Sequence, residues 1–254
     1  MAGHSKFKNI MYRKGAQDKK RAQHFTKIAR EIQTAVSAGG PDPTSNAALY
    51  RAIALARAEN MPKDNVQRAI DRALGGSGEQ LEYVRYEGFG PAGVGLIVET
   101  LTDNRNRTAA DVRSTFTKLG GNLATTNAVT SGFSRVGEIR YPAKAASEDA
   151  MMDAAIEAGA EDCTLESLGE DEGEQHVVIC EFSELSAVSD ALQKKFGDPA
   201  SVKIIWKPQN TIPVDGDAAS TLMKLLSTLD DLDDVQNVFA NFELSEEEMA
   251  KLTA

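Results

Sequence analysis

The sequence predicts an α+β protein: an N-terminal three-helix domain followed by two ferredoxin-like-type α/β domains, one inserted into the other. Three observations predict it. Apolar residues recur at helical spacing up to Leu74. A glycine-rich break, Gly75-Gly76-Ser77-Gly78, follows. Beyond it, short apolar runs alternate with amphipathic stretches in repeated strand–helix–strand order.

The first helix is expected over 17–37, where Phe25, Ile28, Ile32 and Val36 fall on one narrow stripe. Gly39-Gly40-Pro41 ends it, because glycine accepts a left-handed cap and proline cannot continue a helix. A second helix is expected over about 46–59 and a third from Met61-Pro62 to Leu74, with proline tolerated in its first turn. After the glycines, YEGFGPAGVG reads as a hairpin turn, 94–101 as a buried strand, 105–119 as a helix and 122–126 as a short strand. Residues 136–206 give the order βαββαβ, the split βαβ of ferredoxin-like domains. A short strand at 209–214, a helix at 217–230 and a strand at 235–241 follow. The pieces on either side of 136–206 are each βαβ, so they are expected to complete one sheet around an insertion. The domains are then 1–76, 80–133 plus 208–254, and 134–207. Ser245 is placed to cap a short last helix that begins with Glu246-Glu247-Glu248.

No apolar run reaches the roughly 18 residues of a membrane span, and the start lacks the apolar core of a secretory signal. Cys163 and Cys180 form no Cys-x-x-Cys pair, which argues against a zinc site or a secreted disulfide framework and places the chain in a reducing cytoplasm. In the expected hairpin between 163–168 and 175–181 the two cysteines stand directly opposite, with both thiols free.

The net charge of −10 conceals an asymmetry. Residues 1–74 carry 14 Lys+Arg and 6 Asp+Glu, a balance of +8, so the remainder carries −18. Nine of those cations and a single acid fall within 1–30. A basic end on an acidic body points to a polyanion as partner. Lys6, Lys8, Arg13, Lys14, Lys19, Lys20, Arg21, Lys27 and Arg30 are the expected phosphate contacts. Lys19, Lys20, Lys27 and Arg30 lie across the helical wheel from the apolar stripe. His4, Phe7 and Tyr12 are candidate accessories, the aromatics by stacking on unpaired bases. Phosphate contacts supply affinity, not sequence readout.

Several longer motifs narrow the reading. GHSKFKNI, RKGAQDKKR and FTKIAREI within 3–32, NMPKDNVQRAI at 60–70, YEGFGPAGVGLIVETLTDNRNRT at 86–108 and the turn Gly120-Gly121-Asn122-Leu123 together resemble the YebC/PmpR family over essentially the whole chain. The resemblance implies a helical domain followed by two α/β domains, one inserted in sequence. It also implies gene regulation. Bacterial members are described as DNA-binding transcriptional regulators, and others, including the mitochondrial translational activator of cytochrome oxidase, act on translation at the ribosome. The chain has Phe7 where the family often has Trp, and Tyr12 where it often has His.

In TDNRNRT (102–108), Asp103 or Asn104 can cap the next helix, which puts Arg105 and Arg107 in its first turn against the dipole. They are expected either to draw an anion there or to pair with body carboxylates. Asp230, Asp231, Asp233 and Asp234 match no calcium loop and read as a solvated surface. His176, between valines in a strand, reads as structural. The expected function is therefore a nucleic-acid-binding regulator without catalytic residues, metal or cofactor, monomeric, acting on DNA or on ribosomal RNA at the ribosome and not at a membrane. The competing class is an enzyme for a phosphorylated substrate, using Asp103, Arg105 and Arg107.

Overall fold

The computed structural model describes residues 17–75, 80–167 and 173–253. The architecture is α+β, with a helical region first and sheet domains after it. The chain divides into two compact units. Met1–Arg30, Gly78–Ser134 and Lys207–Ala254 form the first; Glu31–Ser77 and Arg135–Trp206 form the second.

Helix α1 (Gln17–Gly39) begins in the first unit and ends in the second. Its stripe is buried at Ile28, Ile32 and Val36, while Phe25 is half-buried. Gly40, at φ +83°, ends it, and its N–H donates to Val36 O. Asn46 then caps α2 (Ala47–Ala58): its Oδ1 accepts from Leu49 N at 3.0 Å, while its Nδ2 donates to Ala35 O and Gly40 O. One buried amide thus satisfies both helix ends. Pro62 stands immediately before α3 (Lys63–Leu74).

In the second unit, β4 (Phe133–Pro142), α5 (Glu148–Glu157), β5 (Asp162–Ser167), β6 (Glu174–Glu181), α6 (Leu185–Phe196) and β7 (Ser201–Pro208) follow in the expected βαββαβ order. The sheet order is β5-β6-β4-β7, the ferredoxin-like arrangement. Ile139, Tyr141, Val178 and Cys180 pack beneath Met151 and Ala155 of α5 and Leu185, Val188 and Leu192 of α6.

The first unit departs from expectation. A strand that hydrophobic patterning does not announce, β1 (Glu82–Phe89), forms a hairpin with β2 (Gly95–Thr102) through the expected turn. Then come α4 (Arg105–Lys118), β3 (Asn122–Leu123), β8 (Ile212–Pro213), α7 (Gly216–Asp230), β9 (Val235–Ala240), β10 (Phe242–Glu243) and α8 (Glu246–Thr253). The sheet is β3-β1-β2-β9. β8 does not join it but pairs in parallel with β10. The β1 strand takes the interior place instead, so this sheet has the same antiparallel layout as the other, with one strand drawn from a different point in the chain. Its core sets Leu96, Val98 and Val238 against Val112 and Phe116 of α4 and Leu222, Leu225 and Leu229 of α7. Gly88 admits Phe116: a Cβ there would lie 2.6 Å from the ring.

The cysteine register also differs. Cys163 pairs with Val178, so Cys180 lies two residues further along β6, on the same face but not directly opposite. The hairpin is centred one residue earlier than a symmetric pairing of the two thiols requires. Both thiols are buried and free, and burial pushes Cys180 up to about 11.

Candidate nucleic-acid interface

Lys6, Lys8, Arg13, Lys14, His4, Phe7 and Tyr12 lie outside the described residues. Lys19 and Lys20 are in the first turns of α1, and their side chains lie outside the described residues. Arg21 is exposed, its guanidinium 5.4 Å from the centre of the Phe25 ring one turn on.

Lys27 and Arg30 are turned toward the protein. Lys27 Nζ donates to Asp230 O at 2.6 Å and to its carboxylate at 3.2 Å. Arg30 Nη1 donates to Asp233 O at 2.7 Å and to Asp234 Oδ1 at 2.9 Å. These carbonyls and carboxylates follow the C-terminal end of α7, where unsatisfied C=O groups carry partial negative charge and cations are favoured. The helical wheel assigned both residues to the polar side correctly. It had no means of showing that an acidic turn some 200 residues later meets that side.

The same turn organises TDNRNRT. Asn104 is the cap: its Oδ1 accepts from Arg107 N at 3.1 Å. Arg107 Nη2 donates to Asp234 Oδ2 at 2.8 Å and to Asp103 at 2.6 Å. The alternative of pairing with body carboxylates therefore describes Arg107. Arg105 is solvated, 3.7 Å from an equally exposed Glu82. Asp103, the base an enzyme would need, is held by Arg107.

Asp234 is 7% exposed, which corrects the expectation of a solvated acidic cluster; only Asp231 and Asp233 conform to it. Besides the two arginines, its Oδ2 accepts from Thr108 at 2.7 Å. Thr102 accepts from Asn104 N at 2.9 Å, and its oxygen lies 2.7 Å from that of Thr108. The Thr102 hydroxyl also reaches Asp234 Oδ2, at 3.3 Å, so both threonines tie the helix start to the one carboxylate. Burial works against the charge of Asp234, but the bonds from Thr108, Arg107 and Arg30 outweigh it and hold its pKa below the usual carboxylate value.

Glu87 is a second buried carboxylate that sequence patterning missed. It is 2% exposed and accepts from the backbone N–H groups of Asn127, Val129 and Thr130 at 2.8–3.0 Å. Burial opposes its charge; those bonds and Arg85 prevail and lower its pKa. The sequence carried no signal for it, because the strand that holds Glu87 is not announced by hydrophobic patterning. His176 is structural, as expected: its Nε2 lies 3.2 and 3.0 Å from the carbonyls of Ala143 and Ala146 and donates to them. Among the described residues no cluster of His, Cys, Asp or Glu could hold a metal ion, and no helix is long and apolar enough to cross a membrane.

Comparison with known proteins agrees along the whole chain. The family model described as the TACO1/YebC protein N-terminal domain matches residues 5–76, and that described as the TACO1/YebC second and third domain matches 81–242. A probable transcriptional regulatory protein of Maricaulis maris (strain MCS10) is 54% identical over 252 residues, covering 99% of this chain and 100% of its own. The crystal structure of a conserved hypothetical protein from Aquifex aeolicus superposes with a TM-score of 0.80 at 42% identity, covering 91% of this chain and 93% of the other.

Proposed function

Because the chain belongs to the TACO1/YebC family, we propose that it is a nucleic-acid-binding regulator of gene expression, acting on DNA as a transcriptional regulator. The observation that carries this reading is the charge polarity: +8 within 1–74 against −18 in the rest. Lys6, Lys8, Arg13, Lys14, Lys19, Lys20 and Arg21 are the phosphate-contacting set, with His4, Phe7, Tyr12 and Arg105 beside them. Lys27, Arg30 and Arg107 fasten the protein to itself. The protein works by binding, as a soluble cytoplasmic monomer without a catalytic centre.

A second reading, binding of ribosomal RNA on the ribosome, has one observation in its favour. Two of the cations on the polar side of α1 are engaged by Asp230 and Asp234, which leaves that helix few side chains to read base edges. Structured RNA is recognised largely through shape and phosphate, which such a set serves.

The test replaces Lys6, Lys8, Lys14, Lys19 and Lys20 together with alanine. Affinity for duplex DNA and for ribosomal RNA should fall sharply, and the log–log salt slope should shrink by about 0.7–0.9 per lost phosphate contact. Unchanged affinity and slope would refute the assignment. Crosslinking in cells followed by sequencing separates the two readings: promoter DNA supports the first, ribosomal RNA the second.

A further inference from the structure

One group of side chains in the second unit has no part in the reading above. Arg135 lies near the start of β4, Phe182 directly follows β6 and Trp206 is near the end of β7. The Arg135 guanidinium carbon is 5.1 Å from the centre of the Phe182 ring and 6.0 Å from that of Trp206. Arg135 is exposed, Phe182 is 41% exposed and Trp206 is half-buried. Two aromatic rings and a planar, weakly hydrated cation therefore lie together at the surface.

Charge is unevenly spread over this domain. Residues 135–206 hold 16 acids and 6 bases, a balance of −10. Among the described residues, β5 carries Asp162 and Glu166 and no base. The sheet order puts β5 at one edge and β7 at the other. β7 carries Lys203 and Lys207 and no acid. Glu161, Glu181 and Glu184 lie close enough to Cys180, two residues before Phe182, to act on its thiol, so a base here would be held by the rings and the Arg135 plane and not by a basic field. The carboxylate nearest in sequence to Phe182, that of Glu181, accepts a hydrogen bond from the Ser183 hydroxyl.

We propose that Arg135, Phe182 and Trp206 form a stacking site for one unpaired nucleobase of a single-stranded nucleic acid; this rests on the reading of the protein as nucleic-acid-binding. Every base offers a π-face to an aromatic ring and to a guanidinium plane, so the site is tolerant of sequence. Bases within a duplex have both faces covered by their neighbours, so the site takes a single strand, a bulge or a loop. Beyond the N-terminal cations and the accessory aromatics Phe7 and Tyr12, it gives the second unit a contact of its own that separates unpaired from paired strands.

Trp206 is the only tryptophan, so its emission reports this site alone. The full chain is titrated with short oligo(U), oligo(dT) and a duplex of equal length. Overall binding is followed by anisotropy of labelled strands, and the site by Trp206 emission with unlabelled ones. The single strands should quench Trp206 in step with the anisotropy rise, and the duplex should bind without quenching. The stronger of the oligo(U) and oligo(dT) responses identifies RNA or DNA as the source of the base. Phe182→Ala should weaken single-strand binding roughly 5- to 100-fold and leave duplex binding unchanged. Arg135→Ala, at an exposed position, should act in the same direction and guards against a folding defect in the first variant. Saturating anisotropy with constant emission overturns this site and leaves nucleic-acid binding standing. Equal quenching by the duplex also overturns it. No anisotropy change with any strand sinks the proposed function itself and this site with it.

Discussion

Replacing Asp234 with asparagine keeps the shape of the side chain and removes its charge. In the folded protein that carboxylate accepts from Arg30 at 2.9 Å, from Arg107 at 2.8 Å and from Thr108 at 2.7 Å. Asparagine can turn an oxygen toward only part of this set, so its amide then faces a donor. A single hydrogen bond to a charged group contributes about 1.5 kcal/mol at the low end. Breaking a buried ion pair costs up to about 5 kcal/mol. Arg30 keeps its bond to Asp233 O, which places the expected loss near the middle, about 3 kcal/mol. Arg107 is left out of that figure because nearly half of its side chain is in water. Urea unfolding at neutral pH measures the difference. The pH dependence supplies a second check. The pKa of Asp234 is lowered on folding, so its stabilisation is present above the unfolded value of about 3.9 and is lost as pH falls through the folded value. The gap between wild type and Asp234→Asn should therefore close in acid below about pH 4. A variant within about 0.5 kcal/mol of wild type at pH 7, or a gap that widens in acid, refutes the reasoning.

Glu87→Gln should free the N–H groups of Asn127, Val129 and Thr130, raising their hydrogen-exchange rates well above those of the β1–β2 hairpin; equal protection in the variant contradicts the role given to that carboxylate. Lys27→Met with Arg30→Met should lower the unfolding midpoint while leaving the salt slope of nucleic-acid binding unchanged; a reduced slope would return both residues to the phosphate-contacting set. Residues 134–207, excised and expressed, should show a cooperative thermal transition, because the helix-covered core of that sheet is drawn entirely from within them; a disordered NMR spectrum rejects this.

The helices and the ferredoxin-like sheet were legible in the sequence because each follows one period and buries one face. Ile28, Ile32 and Val36 sit at helical spacing, and Val178 and Cys180 alternate with the other face of β6. β1 was not legible. Its Arg85 and Glu87 look like loop residues until the segment 127–130, which supplies the donors for Glu87, is in place. β8 was legible as a strand but not in its partner, because two residues carry no information about which edge they meet. At the candidate site, the charge asymmetry and the Asn104 cap could be read directly. The inward turn of Lys27, Arg30 and Arg107 could not. Their common partner, the turn after α7, is fixed by tertiary packing and has no local signature.

The layout of the first sheet bears on how the chain is made. Val98 of β2 pairs with Val238 of β9, 140 residues later. At translation rates of about 5–20 residues per second, β2 waits roughly 7–28 s after leaving the ribosome for the strand that completes its sheet. The intervening ferredoxin-like sheet, complete in sequence before β9 is synthesised, has time to fold in that interval. Until α7 arrives, Leu96, Val98 and Phe116 lack the leucines that cover them in the finished core. The nascent protein thus passes through a stage with one finished sheet and one open, apolar one. That is the stage at which a trigger-type chaperone would engage it and at which self-association in concentrated expression would begin.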